Sequence, residues 1–317
     1  MKIIVTGGSG FIGSNYIQRR LEKTDDFIIN MDKGTYASNI WYERNFPEKR
    51  YMAIRDDILN VDRYEDILND ADLIINFAAE SHVDNSIKDS SAFVMSNFVG
   101  VQKLLDFARR HDMRFHQIST DEVYGSLDPD GTDMFTPERC YEPMNPYSAT
   151  KASADLLAGA YRNTYGMRIT ISNCSNNYGP HQHPEKLIPK TVLNALNSRK
   201  IPVYGNGLQI RDWIHVRDHN DAVDFIIERG IPGKKYLIGA RNQMRNIDVV
   251  GMILKMLNLK QELIEFVEDR PGHDRRYAMD PSSTESLGWK PKISFEDGLR
   301  ETVHHYRENM NIYSSMI

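Results

Sequence analysis

The sequence predicts an α/β fold in which a doubly wound parallel sheet is joined by a smaller α/β region. Short apolar runs alternate with longer helix-like stretches through the first half of the chain, as in successive βαβ units. The runs are apolar throughout, which is typical of strands buried on both faces of a sheet. After about residue 178, repeated prolines and two close glycines break this pattern. We expect this second part to be less regular and to cover the carboxyl ends of the strands, where open α/β sheets bind their ligands.

The elements follow from the apolar runs and from the helical periodicity between them. The predicted strands are residues 2–6, 27–31, 73–78, 115–119 and 168–174, and the predicted helices are 13–23, 61–69, 91–111 and 147–165. Further along we expect a strand at 236–238, a helix at 247–257 and a loop at 269–277. The first domain is predicted to span residues 1–178 with a return segment near 214–240, and the second to span 179–213 and 241–317.

Composition narrows the class of protein. The 317 residues carry a net charge of -5, so no global basic field is available for nucleic acid or for an anionic membrane surface. No apolar run approaches the length of a membrane span, and no signal-peptide pattern is seen at the first residues. The two cysteines make a disulfide framework unexpected and fit a reducing compartment. We expect a cytoplasmic protein without a nucleic-acid or membrane partner.

A glycine-rich turn lies between the first predicted strand and helix. Residues 8–13 match G-x-G-x-x-G, and Gly7 adds a second register. Such glycines permit a tight turn and let a pyrophosphate approach the backbone at a helix N-terminus. Asp32, at the end of the second strand, suits a ribose 2′-hydroxyl and would repel a 2′-phosphate, which favours NAD over NADP. The alternatives are a glycine turn without a ligand and, for Asp32, a simple turn residue. Asp57 and Ile58 would flank the adenine or lie in a surface loop.

Tyr147 and Lys151 open a predicted helix after Asn145-Pro146. The spacing of four places both side chains on one helical face. A lysine ammonium stabilises a nearby phenolate, so the tyrosine can act as a base near neutral pH. The alternative is an exposed helix pair without a function.

Three further segments carry polar groups at strand ends or in loops. Residues 119–125 contain Thr120 followed by the neighbouring carboxylates Asp121 and Glu122, which can divide acid and base roles or form a solvated acidic turn. Residues 77–84 follow another strand. Residues 269–277 are rich in groups that bind phosphate.

The glycine turn with Tyr147 and Lys151 resembles the extended short-chain dehydrogenase/reductase superfamily, in the branch that acts on nucleotide sugars. Together with residues 119–125, 175–180, 184–189, 209–213 and 269–277, the chain resembles the dTDP-glucose 4,6-dehydratases over nearly its whole length. The resemblance implies a Rossmann sheet, NAD as cofactor, dTDP-glucose as substrate and a place in deoxysugar biosynthesis such as that of rhamnose. It also implies a homodimer in which residues 91–111 and 147–165 form a four-helix bundle with their counterparts.

The resemblance further implies a reaction in three steps, with no net redox change. Tyr147, assisted by Lys151, takes the proton of the sugar 4-hydroxyl while hydride leaves C4 for NAD, and Thr120 hydrogen-bonds the same oxygen. Glu122 removes the C5 proton, and Asp121 protonates the departing C6 hydroxyl, which leaves as water. Hydride then returns to C6. Asp121 must be protonated for this, so its pKa is expected to be raised.

The family's binding residues carry over onto matching positions. Those implied for the cofactor are Gly7, Gly10, Phe11, Ile12, Gly13, Asp32, Lys33, Gly34, Thr35, Asp57, Ile58, Phe77, Ala78, Ala79, Ser81, Ser96, Tyr147, Lys151 and Asn176. Those implied for the substrate are Ser81, His82, Thr120, Asn176, Lys186, Leu187, Pro202, Val203, Tyr204, Arg211, Asn246, Asp269, Arg270, Pro271, Gly272 and His273. Arg211 has the clearest physical case, because a guanidinium binds a diphosphate as a fork; the alternative is an ion pair with Asp212 or Asp218.

Some positions depart from the family, and two other functions compete. Gly34, Asn85, His181 and His183 stand where leucine, arginine and two aromatic residues are expected. The two histidines make an incomplete metal site, so no metal is predicted. A UDP-sugar 4-epimerase or decarboxylase would share the cofactor and the tyrosine but has no need of two adjacent carboxylates. A catalytically silent dinucleotide-binding module would be expected to lack the tyrosine, the lysine or the carboxylates.

Overall fold

A parallel sheet of seven strands lies at the centre of the computed structural model, which describes residues 1–313 and 316. Its strands are β1 (Lys2–Thr6), β2 (Phe27–Met31), β3 (Tyr51–Ile54), β4 (Leu73–Asn76), β5 (Arg114–Thr120), β6 (Ile169–Cys174) and β10 (Lys235–Ile238). They lie in the order β10-β6-β5-β4-β1-β2-β3, and every neighbouring pair is parallel. The predicted doubly wound α/β fold is confirmed.

Helices cover both faces of this sheet. On one face α1 (Phe11–Lys23) and α8 (Val216–Arg229) bury apolar side chains such as Ile17 and Val223 against the strands. On the other face α5 (Gly100–Arg110) and α6 (Pro146–Tyr165) do the same. Because both faces are covered, the strands are apolar along their whole length.

The predicted helix 91–111 contains an irregular turn. It consists of α4 (Ser91–Val94), a π-helical turn (Met95–Val99) and α5. The wide turn brings Asn97 against Glu80: the Asn97 side chain accepts from the Glu80 nitrogen at 2.9 Å and donates to its carbonyl at 3.0 Å. It also donates to the Thr150 hydroxyl at 3.0 Å. The irregular turn therefore fixes the strand-end segment that follows β4.

A smaller region with its own core lies beyond β6. It contains a three-stranded sheet of β7 (Asn176–Tyr178), β9 (Ile210–His215) and β11 (Gln243–Arg245), and a parallel pair of β8 (Ile201–Tyr204) and β12 (Ile264–Val267). Its helices are α7 (Leu187–Leu196), α9 (Asn246–Met256), α11 (Phe295–Glu308) and α12 (Met310–Tyr313). The short α10 (Ser282–Glu285) packs instead on β10 and α8. Strand β10 pairs with β6 in the main sheet, and helix α8 packs against one face of that sheet. The domain limits at residues 178 and 240 stay a prediction, and residues 314, 315 and 317 of the second predicted domain lie outside the described residues.

In the first part of the chain, one observed strand was not predicted and one predicted helix has a different form. Strand β3 was not predicted, because it is an edge strand whose middle residues Met52 and Ala53 are exposed, so it has no continuous apolar run. In place of the helix 61–69, the chain forms 3-10 turns over Ile58–Tyr64 and then the short α2 (Glu65–Leu68). Asp57 begins this segment, and its carboxylate accepts a hydrogen bond from the Leu59 nitrogen at 3.0 Å. The remaining short helix before α4 is α3 (Val83–Lys88).

Candidate active site

The glycine turn after β1 lets the backbone approach very closely. Gly7 has a φ of +67°, and a Cβ there would lie 2.5 Å from the Ala78 nitrogen. A Cβ at Gly13 would lie 2.5 Å from the Gly7 carbonyl oxygen. Gly10 directly precedes α1, so the free amides of the first helical turn open towards the space above the sheet. This is the cradle that a pyrophosphate needs.

Asp32 stands at the end of β2, beside this turn. Its carboxylate accepts hydrogen bonds from the Gly34 nitrogen at 2.7 Å and from the Ser9 nitrogen at 3.0 Å. Burial raises the pKa of Asp32, and the two backbone donors act against that rise. Gly34 has a φ of +69°, a conformation that suits glycine, and it holds Asp32 through its amide. The departure at position 34 thus has a local role.

One cleft at the carboxyl ends of the strands gathers the predicted cofactor residues. Every one of them except Gly34 lines it. Ser81, Thr120, Asn176 and Lys186 of the predicted substrate set line the same cleft. The sequence interpretation missed several lining residues, which are Met31, Ala37, Ser38, Glu80, Ile118, Ser119, Cys174, Ser175, Asn177, Gln182, His183 and Glu185. Many of these adjoin predicted motifs, but Ala37, Ser38 and Gln182 lie in loops whose sequence carries no recognisable signal.

A short 3-10 turn at the end of β5 holds Thr120 and the two carboxylates. Thr120 caps the turn, since its hydroxyl accepts from the Glu122 nitrogen at 3.3 Å and donates to Asp121 Oδ1 at 3.1 Å. Asp121 is buried, and its Oδ2 has no hydrogen-bond partner among the described residues. Glu122 is half-buried and opens on the cleft. The turn therefore places two neighbouring carboxyl groups in different surroundings.

These surroundings act on the two acids in the same direction. Burial, and then the charge of Glu122, raise the pKa of Asp121 well above its ordinary value. Burial also raises the pKa of Glu122, against the lowering effects of Arg270, Arg211 and other cations. The raised pKa expected for Asp121 agrees with its buried position.

Tyr147 and Lys151 lie on the first two turns of α6. Asn145 and Ser148 form a reciprocal capping box with Pro146 at the start of the helix, which explains why it begins there. Tyr147 is buried in the cleft wall. The Lys151 ammonium donates to the Ile118 carbonyl oxygen at 2.7 Å.

In the chain alone the pKa of Tyr147 is raised, and the expected effect of Lys151 on the phenol stays a prediction. Burial, and then the charge of Glu122, raise the pKa of the phenol well above its ordinary value. The Thr120 hydroxyl has the opposite but smaller effect on this pKa. Lys151 is directed at a backbone carbonyl instead.

Arg211 is buried and does not form the ion pair considered as the alternative. Its guanidinium donates to the Asp274 carbonyl oxygen at 2.8 Å and lies 4.2 Å from the centre of the Tyr277 ring. Asp212 accepts from the Asn242 nitrogen at 2.9 Å, and Asp218 accepts from backbone nitrogens near residue 292. Arg211 does lower the pKa of Glu122, so its charge reaches the carboxylates.

The other predicted substrate residues lie outside the cleft lining. Val203 is buried in an apolar cluster, and Leu187 packs against that cluster. The remaining members, none of which lines the cleft, are His82, Pro202, Tyr204, Asn246, Asp269, Arg270, Pro271, Gly272 and His273. Tyr204 and Arg270 both hydrogen-bond to Asp84 of α3, and His273 is bonded to Asp269. Asn246 Oδ1 is buried without a partner in the described part of the chain, as is Asn176 Oδ1 within the cleft.

The three remaining departures contact neighbouring aromatic side chains. The Asn85 amide lies 3.5 Å from the Tyr36 hydroxyl, and the His183 ring meets the Tyr36 ring edge-on at 5.2 Å. His181 is buried against Tyr42, with 4.2 Å between ring centres. Within residues 1–313 and 316, no group of three or more His, Cys, Asp or Glu side chains could hold a metal ion. In the same residues no helix is both long enough and apolar enough to cross a membrane.

The comparisons with known proteins agree on one family. The family model described as GDP-mannose 4,6 dehydratase matches residues 4–302. The dTDP-glucose 4,6-dehydratase of Mycolicibacterium smegmatis is 45% identical over 313 residues, which cover 98% of this chain and 94% of that protein. An Escherichia coli dTDP-glucose 4,6-dehydratase is 44% identical, with the same two coverages. This chain belongs to the dTDP-glucose 4,6-dehydratase family.

Solved structures of relatives match at least 98% of the chain. DesIV, the dTDP-glucose 4,6-dehydratase of Streptomyces venezuelae solved with NAD and dTDP, matches with a TM-score of 0.97 and 39% identity over 100% of both chains. The UDP-glucuronic acid 4-epimerase of Bacillus cereus is more distant, with a TM-score of 0.91 and 27% identity over 98% of this chain and 100% of that one. The family resemblance predicted from the motifs is confirmed.

Proposed function

We propose that this chain is an NAD-dependent lyase that converts dTDP-glucose into dTDP-4-keto-6-deoxyglucose and water. The observation that carries the proposal is that Asp121 and Glu122 share one cleft with Tyr147. A hydride transfer at C4 alone requires only the tyrosine and its neighbours. An elimination also requires a base for a carbon-bound proton and an acid for the leaving hydroxyl.

The residues around the glycine turn fit NAD. The close approach of Gly7 to Ala78 leaves no room for a side chain, so the backbone faces the cleft directly. The Asp32 carboxylate is held by two backbone amides at the far end of the same cleft, where it would accept bonds from ribose hydroxyls. When bound there, NAD supplies a cationic nicotinamide ring that takes a hydride from the sugar and gives it back later in the same turnover.

Tyr147 and Thr120 act on the 4-hydroxyl of the sugar. Thr120 and Tyr147 line the same cleft, so both groups can contact one substrate oxygen. Tyr147 takes the proton of that hydroxyl as C4 becomes a ketone. Since burial holds the proton on Tyr147 in the chain alone, a positive charge in the cleft is required to release it. We assign part of that role to Lys151, which lines the same cleft.

Glu122 and Asp121 perform the elimination. The ketone at C4 acidifies the C5 proton, and Glu122 removes it because its carboxylate opens on the cleft. Asp121, buried and biased towards its protonated form, gives a proton to the C6 hydroxyl, which leaves as water. The Glu122 proton then returns to C5 when C6 is reduced. Over the whole turnover one water is lost, and the proton left on Tyr147 must return to Asp121.

The test is incubation of the purified protein with dTDP-glucose, followed by alkali. The product, a 4-keto-6-deoxy sugar, develops a strong ultraviolet absorbance under these conditions. A protein that gives no such absorbance but converts a UDP-sugar would instead be a UDP-sugar 4-epimerase or decarboxylase. Binding of NAD without turnover of either sugar would indicate a dinucleotide-binding module.

We also propose a homodimer formed through α4, α5 and α6. Large apolar side chains are exposed on α4 (Val94), on the π-helical turn that joins it to α5 (Met95) and on α6 (Leu156 and Tyr165). Exposed apolar side chains on two adjacent helices are typical of a helix-bundle interface. Leu156→Glu should convert the dimer to a monomer in light scattering, whereas Ile231→Glu, at an exposed loop residue, should not. A wild-type protein that is monomeric at micromolar concentration would contradict the proposal.

A cytoplasmic location and a role in deoxysugar biosynthesis, such as that of rhamnose, complete the proposal. Cys140 is exposed and Cys174 is buried, and both are free thiols, which suits a reducing compartment. Disruption of the gene should remove a deoxysugar from the cell's glycans, and cell fractionation should recover the enzyme with the cytosol. Recovery from an extracellular fraction would contradict the location.

A further inference from the structure

Asp155 lies behind the proposed active-site lysine. Tyr147, Lys151 and Asp155 follow one another at intervals of four residues on α6, so all three lie along one face of the helix. Tyr147 and Lys151 line the cleft, whereas Asp155 does not. Its side chain is buried, with 3% of the residue exposed. A buried carboxyl group in this position requires an explanation, because burial of a charge is costly unless it is paired.

The surroundings of Asp155 are built to hold a carboxylate. Its Oδ2 accepts three hydrogen bonds, from the Ser119 hydroxyl at 2.6 Å, the Tyr141 hydroxyl at 3.1 Å and the Asn173 amide at 3.1 Å. Burial raises the pKa of Asp155 overall, while the charge of Lys151 and these three donors act in the opposite direction and favour the ionised form. Its Oδ1 has no hydrogen-bond partner among the described residues.

Lys151 in turn has little other compensation for its burial. Only 4% of the residue is exposed, and its ammonium donates to the Ile118 carbonyl oxygen. Burial lowers the pKa of Lys151, and Asp155 is the first of the groups that raise it. The second is Cys174 on β6, but burial raises the pKa of that thiol to about 12, so it is neutral at physiological pH. The charge that faces Lys151 is therefore that of Asp155.

We propose that Asp155 is a positioning residue whose negative charge keeps Lys151 protonated while Tyr147 works as the base. The inference rests on the proposed function for the roles of Tyr147 and Lys151. Asp155 is then the third residue of this helix face with a role in the reaction, and it acts on the reacting atoms only through Lys151. A neutral residue with the same hydrogen bonds would leave an ammonium buried without a counter-charge, and that ammonium would lose its proton more readily.

Other groups near Asp155 would also be affected by its substitution, and the test must take them into account. The Lys235 ammonium, on β10, lies 4.6 Å from the centre of the Tyr141 ring. Burial lowers the pKa of Lys235, and the charge of Asp155 acts against that lowering. Asn173 also donates to the Thr120 carbonyl oxygen at 3.2 Å, so the network touches the strand that carries the reaction. A purely structural role for Asp155 would therefore also reduce activity. The test must separate loss of charge from loss of hydrogen bonds.

The first experiment is the pH profile of the first oxidation. Single-turnover formation of bound NADH is followed between pH 6 and 10 in the wild type, Asp155→Asn, Asp155→Glu and Tyr141→Phe. On the alkaline side of the profile the rate falls as Lys151 loses its proton, and in Asp155→Asn this alkaline limb should lie at least one pH unit lower than in the wild type. The rate of NADH formation should therefore fall at least tenfold at pH 8.5 and much less at pH 6.5. Asp155→Glu keeps the charge and should restore most of the limb. Tyr141→Phe removes a hydrogen bond but no charge and should leave the limb in place.

A second experiment needs no turnover. Thermal unfolding is measured at pH 7 for Asp155→Asn, Lys151→Met and the double variant. Asp155→Asn should lower the Tm by several degrees, and most of that loss should disappear in the Lys151→Met background, because no buried charge is then left unpaired. Two results together would overturn the proposal. Asp155→Asn would reduce the rate equally at every pH without moving the alkaline limb, and it would lower the Tm equally in the wild-type and Lys151→Met proteins. If the enzyme converts no sugar at all, the proposed function fails while the unfolding cycle still tests the pair.

Discussion

Tyr204 of β8 donates a hydrogen bond of 2.8 Å to the carboxylate of Asp84 on α3, 120 residues earlier in the chain. The Arg270 guanidinium reaches the other oxygen of the same carboxylate at 3.4 Å. Tyr204, Arg270 and His82 lower the pKa of Asp84, although burial acts to raise it. An ionised Asp84 therefore ties the strand β8 and the loop after β12 to the helix that follows β4.

Neutralising Asp84 should weaken the binding of the nucleotide sugar more than it slows the chemistry. Asp84→Asn releases Arg270, and the loss of a charge-assisted bond of about 1.5–3 kcal/mol should raise KM for dTDP-glucose roughly tenfold or more. Tyr204→Phe, which removes one hydrogen bond and keeps the charge, should raise KM less. Steady-state kinetics measures both; a fall in kcat with unchanged KM would contradict this role.

Removing the two carboxyl functions should separate the oxidation from the elimination. In Asp121→Asn and in Glu122→Gln, bound NADH should still form in a single turnover but persist, because the step that consumes it follows the elimination. A loss of about 10²–10⁴-fold in product formation is expected for each variant. Tyr147→Phe is the control, since it should prevent NADH formation itself. An equal loss of both steps in the carboxyl variants would show that their assigned roles are wrong.

Buried histidines should make the protein sensitive to acid. His116 and His219 are fully buried, and burial lowers their pKa values to about 3 and about 4. Because the folded-state pKa lies below the unfolded value of about 6.5, their stabilising effect is complete above pH 6.5 and is lost as the pH falls towards 4. Each should cost about 2 kcal/mol of the free energy of unfolding by pH 5.

Denaturant unfolding at pH 7 and pH 5 measures this loss. His116→Gln retains groups that can bond the Thr170 and Ser172 hydroxyls, so it should reduce the difference between the two pH values. His304→Gln is the matched control, because the His304 side chain is 64% exposed. An identical pH dependence in His116→Gln and the wild type would exclude a contribution from His116.

Asp32 should decide how firmly NAD is retained. Asp32→Ala removes the acceptor for the ribose hydroxyls. The affinity for NAD should therefore fall at least about tenfold, and a smaller fraction of the purified protein should carry NAD. Calorimetric titration of the protein freed of cofactor, with NAD and with NADP, gives both affinities. The ratio of the NAD affinity to the NADP affinity should be smaller in Asp32→Ala than in the wild type. Asp130→Ala, at an exposed residue outside the cleft, should leave both unchanged. An unchanged preference in Asp32→Ala would place the ribose elsewhere.

The parts of the site that the sequence predicted are those with local causes. The glycine turn follows from contacts between Gly7, Gly13 and the strand ends next to them, so a short motif contains the information. Tyr147 and Lys151 are brought together by a single helix whose start is encoded by Asn145 and Pro146.

The parts that the sequence did not predict depend on distant segments. Gln182 and Glu185 reach the cleft from the loop after β7, and their positions depend on how the smaller region packs on the sheet. The Asp84–Tyr204 contact joins residues far apart in the chain. Asp155 was not singled out, because an acidic residue on a helix is ordinarily solvated and only its partners on β5 and β6 reveal it as buried.

The π-helical turn at Met95–Val99 limits how the helical segment of residues 91–110 can change over evolutionary time. A turn of this kind arises when one extra residue is accommodated in a regular helix, so removing it would rotate everything on one side by about 100° relative to the other. Asn97 would then lose Glu80 and Thr150 together, while the helix itself would remain intact. No series of single substitutions leads smoothly from one arrangement to the other. The length of residues 91–110 should therefore be held constant even where their identities drift.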